Sequence, residues 1–233
     1  MAPLLTLEHV VTVAVSAVMI AALVAAARLR PGVWLVTASR VLAIVILVNE
    51  ASWWVWAAVH HQWAVNYALP LQLCDFAAFV SAAALWFRRP LLVELTYFWG
   101  LAGTTNGIIT PDLGDHFPSY LFFQYYVAHG AIVCAALFLV VGLRIAPRPW
   151  AALRMAGLTA GLAVLDGGAD VVLNGNYMYR RHAPGVHSLL DLMGPWPWYL
   201  LAASGLALVF FFLLDLPFTI GRRFATRRLV TAP

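Results

Sequence analysis

Residues Leu7–Ala27 read LEHVVTVAVSAVMIAALVAAA, an apolar run whose one charged side chain is Glu8, and Arg28 and Arg30 follow it directly. At ~1.5 Å of rise per residue, a helix of this length crosses the ~30 Å hydrocarbon core of a bilayer. The arginines come after the run rather than before it. That is the wrong polarity for a cleaved signal peptide, and it predicts an N-terminus on the outer side.

Working outward, six more segments of comparable character can be drawn: Val36–Val59, Leu69–Phe87, Leu91–Thr110, Tyr120–Leu143, Ala151–Leu173 and Trp196–Leu216. Pro, Gly or charge stands at the breaks between them. Of 233 residues, 63% are hydrophobic and only 10% charged, where a soluble domain carries about 25% charged. The mean hydropathy is +0.84. These values exclude disorder, nucleic-acid binding and a soluble enzyme domain. The net charge of +4 comes from arginines alone among the basic residues, and these mark topology. Arg28, Arg30 and Arg40 flank the first loop, Arg88 and Arg89 the third, and Arg144, Arg148 and Arg154 the fifth. Arg222, Arg223, Arg227 and Arg228 end the chain. The expectation is an all-α polytopic membrane protein with seven transmembrane helices, N-terminus outside and C-terminus cytoplasmic. Residues 1–221 form one membrane domain and 222–233 a short basic tail. Arg180 and Arg181, in a loop expected outside, run against the trend. No internal repeat supports an inverted-repeat transporter.

Topology converts the sequence into depth. Glu50, Gln72, Cys74, Asp75, Asn106, Gln124, His129, Asp166 and Asp170 all fall in the outer halves of their spans, with Asn49, Thr104 and Thr105. The inner halves hold Ser81, Glu94 and Asp215. Ionisable groups are costly in hydrocarbon, so they face the bundle interior or a wet cavity. A polar layer drawn from five helices predicts a cavity open toward the outer leaflet. Each member also has a structural reading. Asp166 and Asp170 share a helix face and repel unless one is protonated or a cation, Arg180 or Arg181, folds back on them. Glu50, beside Trp53 and Trp54, can serve as an interhelical hydrogen-bonding group.

Cys74 is the one candidate nucleophile. It follows Pro70 in what reads as a first helical turn, where the helix end favours thiolate, although neighbouring Asp75 opposes it. His129 is the histidine that lies within a span, in the same outer layer. A catalytic pair needs the imidazole near the sulfur and a third group on the ring, for which Glu50, Asp166 and Asp170 are candidates. The residues alone favour a buried thiol and a satisfied histidine. Cys134 reads as a core residue. No disulfide framework, metal cluster, cofactor motif or Gly-x-Ser-x-Gly element is evident.

Several runs carry a resemblance: Leu69–Asp75 (LPLQLCD), Glu94–Gly103 (ELTYFWGLAG), Thr110–Leu113 (TPDL), Phe122–Gly130 (FFQYYVAHG), Asn174–Tyr179 (NGNYMY) and Ser188–Tyr199 (SLLDLMGPWPWY). In their order and spacing they resemble the YwaF family of bacterial integral membrane proteins, itself similar to the vertebrate transmembrane protein 164 family. The resemblance implies a bacterial cytoplasmic-membrane location and a cysteine-dependent phospholipid acyltransferase, with Cys74 and His129 at the matching catalytic positions. Its partners would be membrane phospholipid and lysophospholipid. Gln72, Thr104, Thr105 or Asn106 would supply oxyanion donors. Arg180 and Arg181 can hold a lipid phosphate or neutralise the α-helical aspartates. The rivals are a non-catalytic lipid-binding protein and, behind it, a proton-coupled carrier.

Overall fold

The computed structural model describes residues 6–183 and 189–230. Ser188, which opens one of the runs quoted above, and the last three residues of the basic tail lie outside the described residues. The described chain is helical, with no strand in it. Its helices are α1 (Leu7–Leu29), α2 (Trp34–Val59), α3 (Leu73–Phe87), α4 (Pro90–Phe98), α5 (Thr105–Ile109), α6 (Tyr120–Leu137), α7 (Ala151–Leu173) and α8 (Trp198–Val230). A π-helical stretch, Trp99–Thr104, joins α4 to α5 in one rod, and another, Phe138–Gly142, extends α6. Seven helical rods therefore stand where seven segments were drawn. Five are long and apolar enough to cross a membrane: Leu7–Leu29, Trp34–Val59, Tyr120–Gly142, Ala151–Leu173 and Trp198–Phe224.

Two boundaries differ from the sequence expectation. The third rod begins at Leu73, not Leu69. Gln72 has extended backbone, and its N–H donates to the Asp75 carboxylate at 3.0 Å, which caps the helix start. The fifteen residues of α3 rise only ~22 Å, short of a ~30 Å hydrocarbon core. Cys74 is accordingly the second residue of the helix, within its first turn. The last rod runs on through Pro217 to Val230, beyond the expected end at Leu216.

The apolar core runs along α3, α4 and α6, from Leu73 and Phe76 beside Cys74 toward the end of the bundle away from it. Phe98, Phe138 and Leu139 are fully buried there, with Leu85, Ile132 and Met155 around them. At the same end Glu94, 1% exposed, receives four hydrogen bonds. Arg148 contributes its backbone N at 2.9 Å, Nε at 2.8 Å and Nη2 at 2.9 Å, and Arg154 contributes Nη1 at 2.7 Å. Both carboxylate oxygens are satisfied, as a buried charge requires. This cluster ties α4 to the start of α7 and leaves the other half of the bundle to the site.

Candidate functional site

Two loops build the floor on which Cys74 stands. Tyr177, in the turn after α7, is fully buried; its hydroxyl donates to the Val65 carbonyl at 2.8 Å and accepts from Leu69 N at 3.2 Å. Its own N–H donates to Asp170 Oδ1 at 2.7 Å. Next to it Met178 N donates to Gln72 Oε1 at 2.8 Å, so the residue ahead of α3 is held from the same turn. Tyr179 donates its hydroxyl to Asp112 Oδ2 at 2.6 Å, reaching the loop between α5 and α6. Burial and that carboxylate push the Tyr179 phenol well above its ordinary pKa, so it stays a donor. The Asn174–Tyr179 run thus has a physical role: it clamps three loops around the start of α3.

His129 comes from α6. Its Nδ1 lies 2.8 Å from the Tyr125 carbonyl oxygen one turn earlier, and the Tyr125 ring stacks on it with centroids 4.1 Å apart. With Nδ1 donating there, Nε2 is the nitrogen left as acceptor. The Tyr125 hydroxyl is itself fixed, donating to Gly107 O at 2.8 Å and accepting from Asp112 N at 3.3 Å. Glycine at 107 is required by close approach: a Cβ there would stand 2.7 Å from His129 Cδ2 and 2.9 Å from Nε2. The partner of the ring's Nδ1 is thus a backbone carbonyl, that of Tyr125.

Cys74 and His129 line two cavities in common, together with Gln72, Asp75, Asp112 and Tyr125. One cavity, about 400 Å³, is walled by Glu50, Asp115 and Gln124 and is the polar one. The other, about 480 Å³, runs between the α4–α5 rod and α8 past Ala102, Gly103, Asn106, Leu206, Ala207 and Phe210. Thiol and imidazole stand on the boundary between a polar and an apolar space. No hydrogen bond joins them among the described residues. Thr104, fully buried, sits beside the Cys74 thiol, yet its hydroxyl completes no hydrogen bond.

The remaining candidates divide clearly. Glu50, Gln72, Asp75, Gln124 and Asn106 line one or both cavities. Asn106 already spends one amide N–H on Ala102 O at 2.7 Å, and Thr105 gives its hydroxyl to Gly100 O at 3.1 Å. Asp166 and Asp170 are buried behind the clamp and line neither cavity. Arg180 lays its guanidinium across Gly167, 3.2 Å from where a Cβ would stand, within electrostatic reach of Asp166. Arg181 donates to Asn174 Oδ1 at 2.8 Å. Neither arginine lines either cavity. Cys134 is buried core, and no metal-binding group of His, Cys, Asp or Glu occurs among the described residues. Tyr125, Tyr177 and Tyr179 do not stand out in the sequence; for Tyr177 and Tyr179 the available signal is their setting among Asn and Gly in a loop, and Tyr125, inside α6, carries none.

The family model for the TMEM164 family matches residues 4–215. The chain belongs to the TMEM164 family. Membership is consistent with a lipid-related, multi-pass membrane protein, in keeping with the apolar helices. No match was found among curated proteins, and none among solved structures.

Proposed function

We propose that this TMEM164-family protein is a membrane phospholipid acyltransferase working through Cys74 and His129. The observation that carries the reading is their shared place on the wall between the polar and apolar cavities. An ester bond of a lipid has the same division, with headgroup on one side and hydrocarbon on the other. His129 Nε2 takes the thiol proton as Cys74 sulfur attacks the ester carbonyl. The tetrahedral intermediate expels the lysolipid alkoxide, which takes that proton back from His129, and the acyl chain remains as a thioester. A second lysolipid hydroxyl then gives its proton to His129, attacks the thioester and restores the thiol. Thr104, Gln72 and Asn106 are the side chains at hand to donate to the oxyanion. Arg180 and Arg181 fit the clamp better than a headgroup site, because both are engaged within it.

The topology in this reading is seven spans with the N-terminus outside. In support, the arginine-rich Glu94 cluster and the polar cavities lie at opposite ends of the bundle. An outward-opening site favours another phospholipid, rather than cytosolic acyl-CoA, as acyl donor.

The test is the intact mass of detergent-purified protein after incubation with mixed phospholipids, as wild type and as Cys74→Ala. An acyl adduct removed by hydroxylamine and missing from the variant supports the thioester. Lipid turnover that survives in Cys74→Ala rejects it, and no adduct with no turnover moves the reading to lipid binding.

A further inference from the structure

α8 is fastened at two places and free between them. At its outer end Tyr199 is buried and its hydroxyl donates to the Tyr179 carbonyl. Further along, Phe211 is buried and meets Phe98 edge to face with centroids 5.6 Å apart, and Tyr97 Oη donates to Leu214 O at 3.3 Å. From Leu200 to Phe210 no residue is buried. The partly covered ones, Leu200, Ala203, Leu206, Ala207 and Phe210, recur at i, i+3, i+6, i+7 and i+10 and so form one helix face. From Ala203 to Phe210 that face lines the apolar cavity, across from Ala102, Gly103 and Gly107. α8, which also packs on α7, therefore spans a gap along its cavity-facing side.

The chemistry of the gap narrows its occupant. The α8 wall and the Ala102–Gly103 stretch facing it are apolar, so an unfilled gap forfeits contact on each side. Its volume of about 480 Å³ is that of a small-molecule site. One end meets Cys74 and His129, and the opposite faces of α8, with Leu201 and Val209 exposed, look away from the cavity. A hydrocarbon chain enters such a gap sideways from the bilayer and brings its ester to the polar end. Side chains with no reach beyond Cβ, Ala203 and Ala207, leave the space it needs.

We propose that the gap beneath α8 is the slot for a single acyl chain of a membrane lipid, with Ala203 and Ala207 setting its width. The proposal rests on the Cys74–His129 reading for the fate of the chain, but not for its binding. The experiment uses the full chain in phosphatidylcholine–phosphatidylglycerol vesicles doped with a phospholipid carrying a diazirine in one acyl chain. After photolysis, label is mapped by peptide on wild type, Cys74→Ala, Ala207→Phe and Val209→Phe. Label is expected on the Ala102–Gly107 wall in wild type, Cys74→Ala and Val209→Phe. In Ala207→Phe it should fall about tenfold or more, with the melting temperature unchanged. Label confined to the outward faces at Leu201 and Val209 overturns the slot, as does equal wall labelling in Ala207→Phe. Cross-linking of two chains through α8 instead assigns the gap to a second copy and also overturns it. Wall labelling without any acyl adduct in wild type leaves the slot standing and removes the acyl-transfer reading.

Discussion

His129 Nδ1 and the Tyr125 carbonyl oxygen are 2.8 Å apart, one helical turn from each other on α6, and the Tyr125 ring covers the imidazole face. The residue that orients the histidine is thus its own neighbour on the helix. The hydroxyl of that same tyrosine reaches Gly107 and Asp112.

Tyr125→Phe keeps the stacked ring and the carbonyl and loses both hydroxyl contacts. It should lower acyl turnover by about tenfold while the apparent affinity for lipid changes little, because a positioning loss of this kind falls on the rate. Turnover measured at saturating and limiting phospholipid separates the two parameters. An unchanged rate would show that the Tyr125 hydroxyl does not help to position the site.

Gly107→Ala tests the imidazole position directly. The added methyl would overlap His129 Cδ2 and Nε2 and must displace the ring. Turnover should drop by about a hundredfold or more, as expected when a general base is misplaced, with helical content and melting temperature close to wild type. Circular dichroism alongside the assay distinguishes this from misfolding.

Tyr177→Phe removes the hydroxyl that joins Val65 and Leu69 but keeps the ring in place. Leaving Leu69 N and Val65 O without that partner should cost about 1–3 kcal/mol, felt locally as opening of the loop before α3. Maleimide labelling of Cys74 should therefore accelerate relative to wild type. An unchanged labelling rate would show that Tyr177 does not control access.

Glu94→Ala acts at the other end. Removing the carboxylate leaves the Arg148 N–H without its partner, while the partly exposed Arg148 and Arg154 guanidinium groups can turn to solvent, at a cost of about 1–3 kcal/mol. Thermal unfolding in detergent should show the loss, whereas turnover per folded molecule should stay near wild type. A loss of turnover without a loss of stability would link the two ends in a way the packing does not provide.

The helical rods were legible in the sequence because hydropathy is local, and five of them are long and apolar enough to cross a membrane. The polar layer was legible for the same reason, and Glu50, Gln72, Cys74, Asp75, Gln124 and His129 do meet around one polar cavity. The start of α3 was not, since Leu69–Gln72 is apolar enough to continue the helix. What stops it is Tyr177, 108 residues beyond Leu69, along with the Asp75 cap. Asp166 and Asp170 matched the layer in depth but belong to the clamp, and depth alone does not give direction around a helix axis. The orienting group for His129 was hidden for a simpler reason. It is a backbone carbonyl, and side-chain patterns carry no trace of it.

Tyr177 has one more consequence, which concerns the order of synthesis. The thiol is made early in the chain, yet the loop ahead of it takes its final form only when Tyr177 arrives. By then the first six rods have all been translated. A nascent chain therefore carries Cys74 without the floor that places it, and the thiol's surroundings stay unassembled in a growing protein already surrounded by lipid.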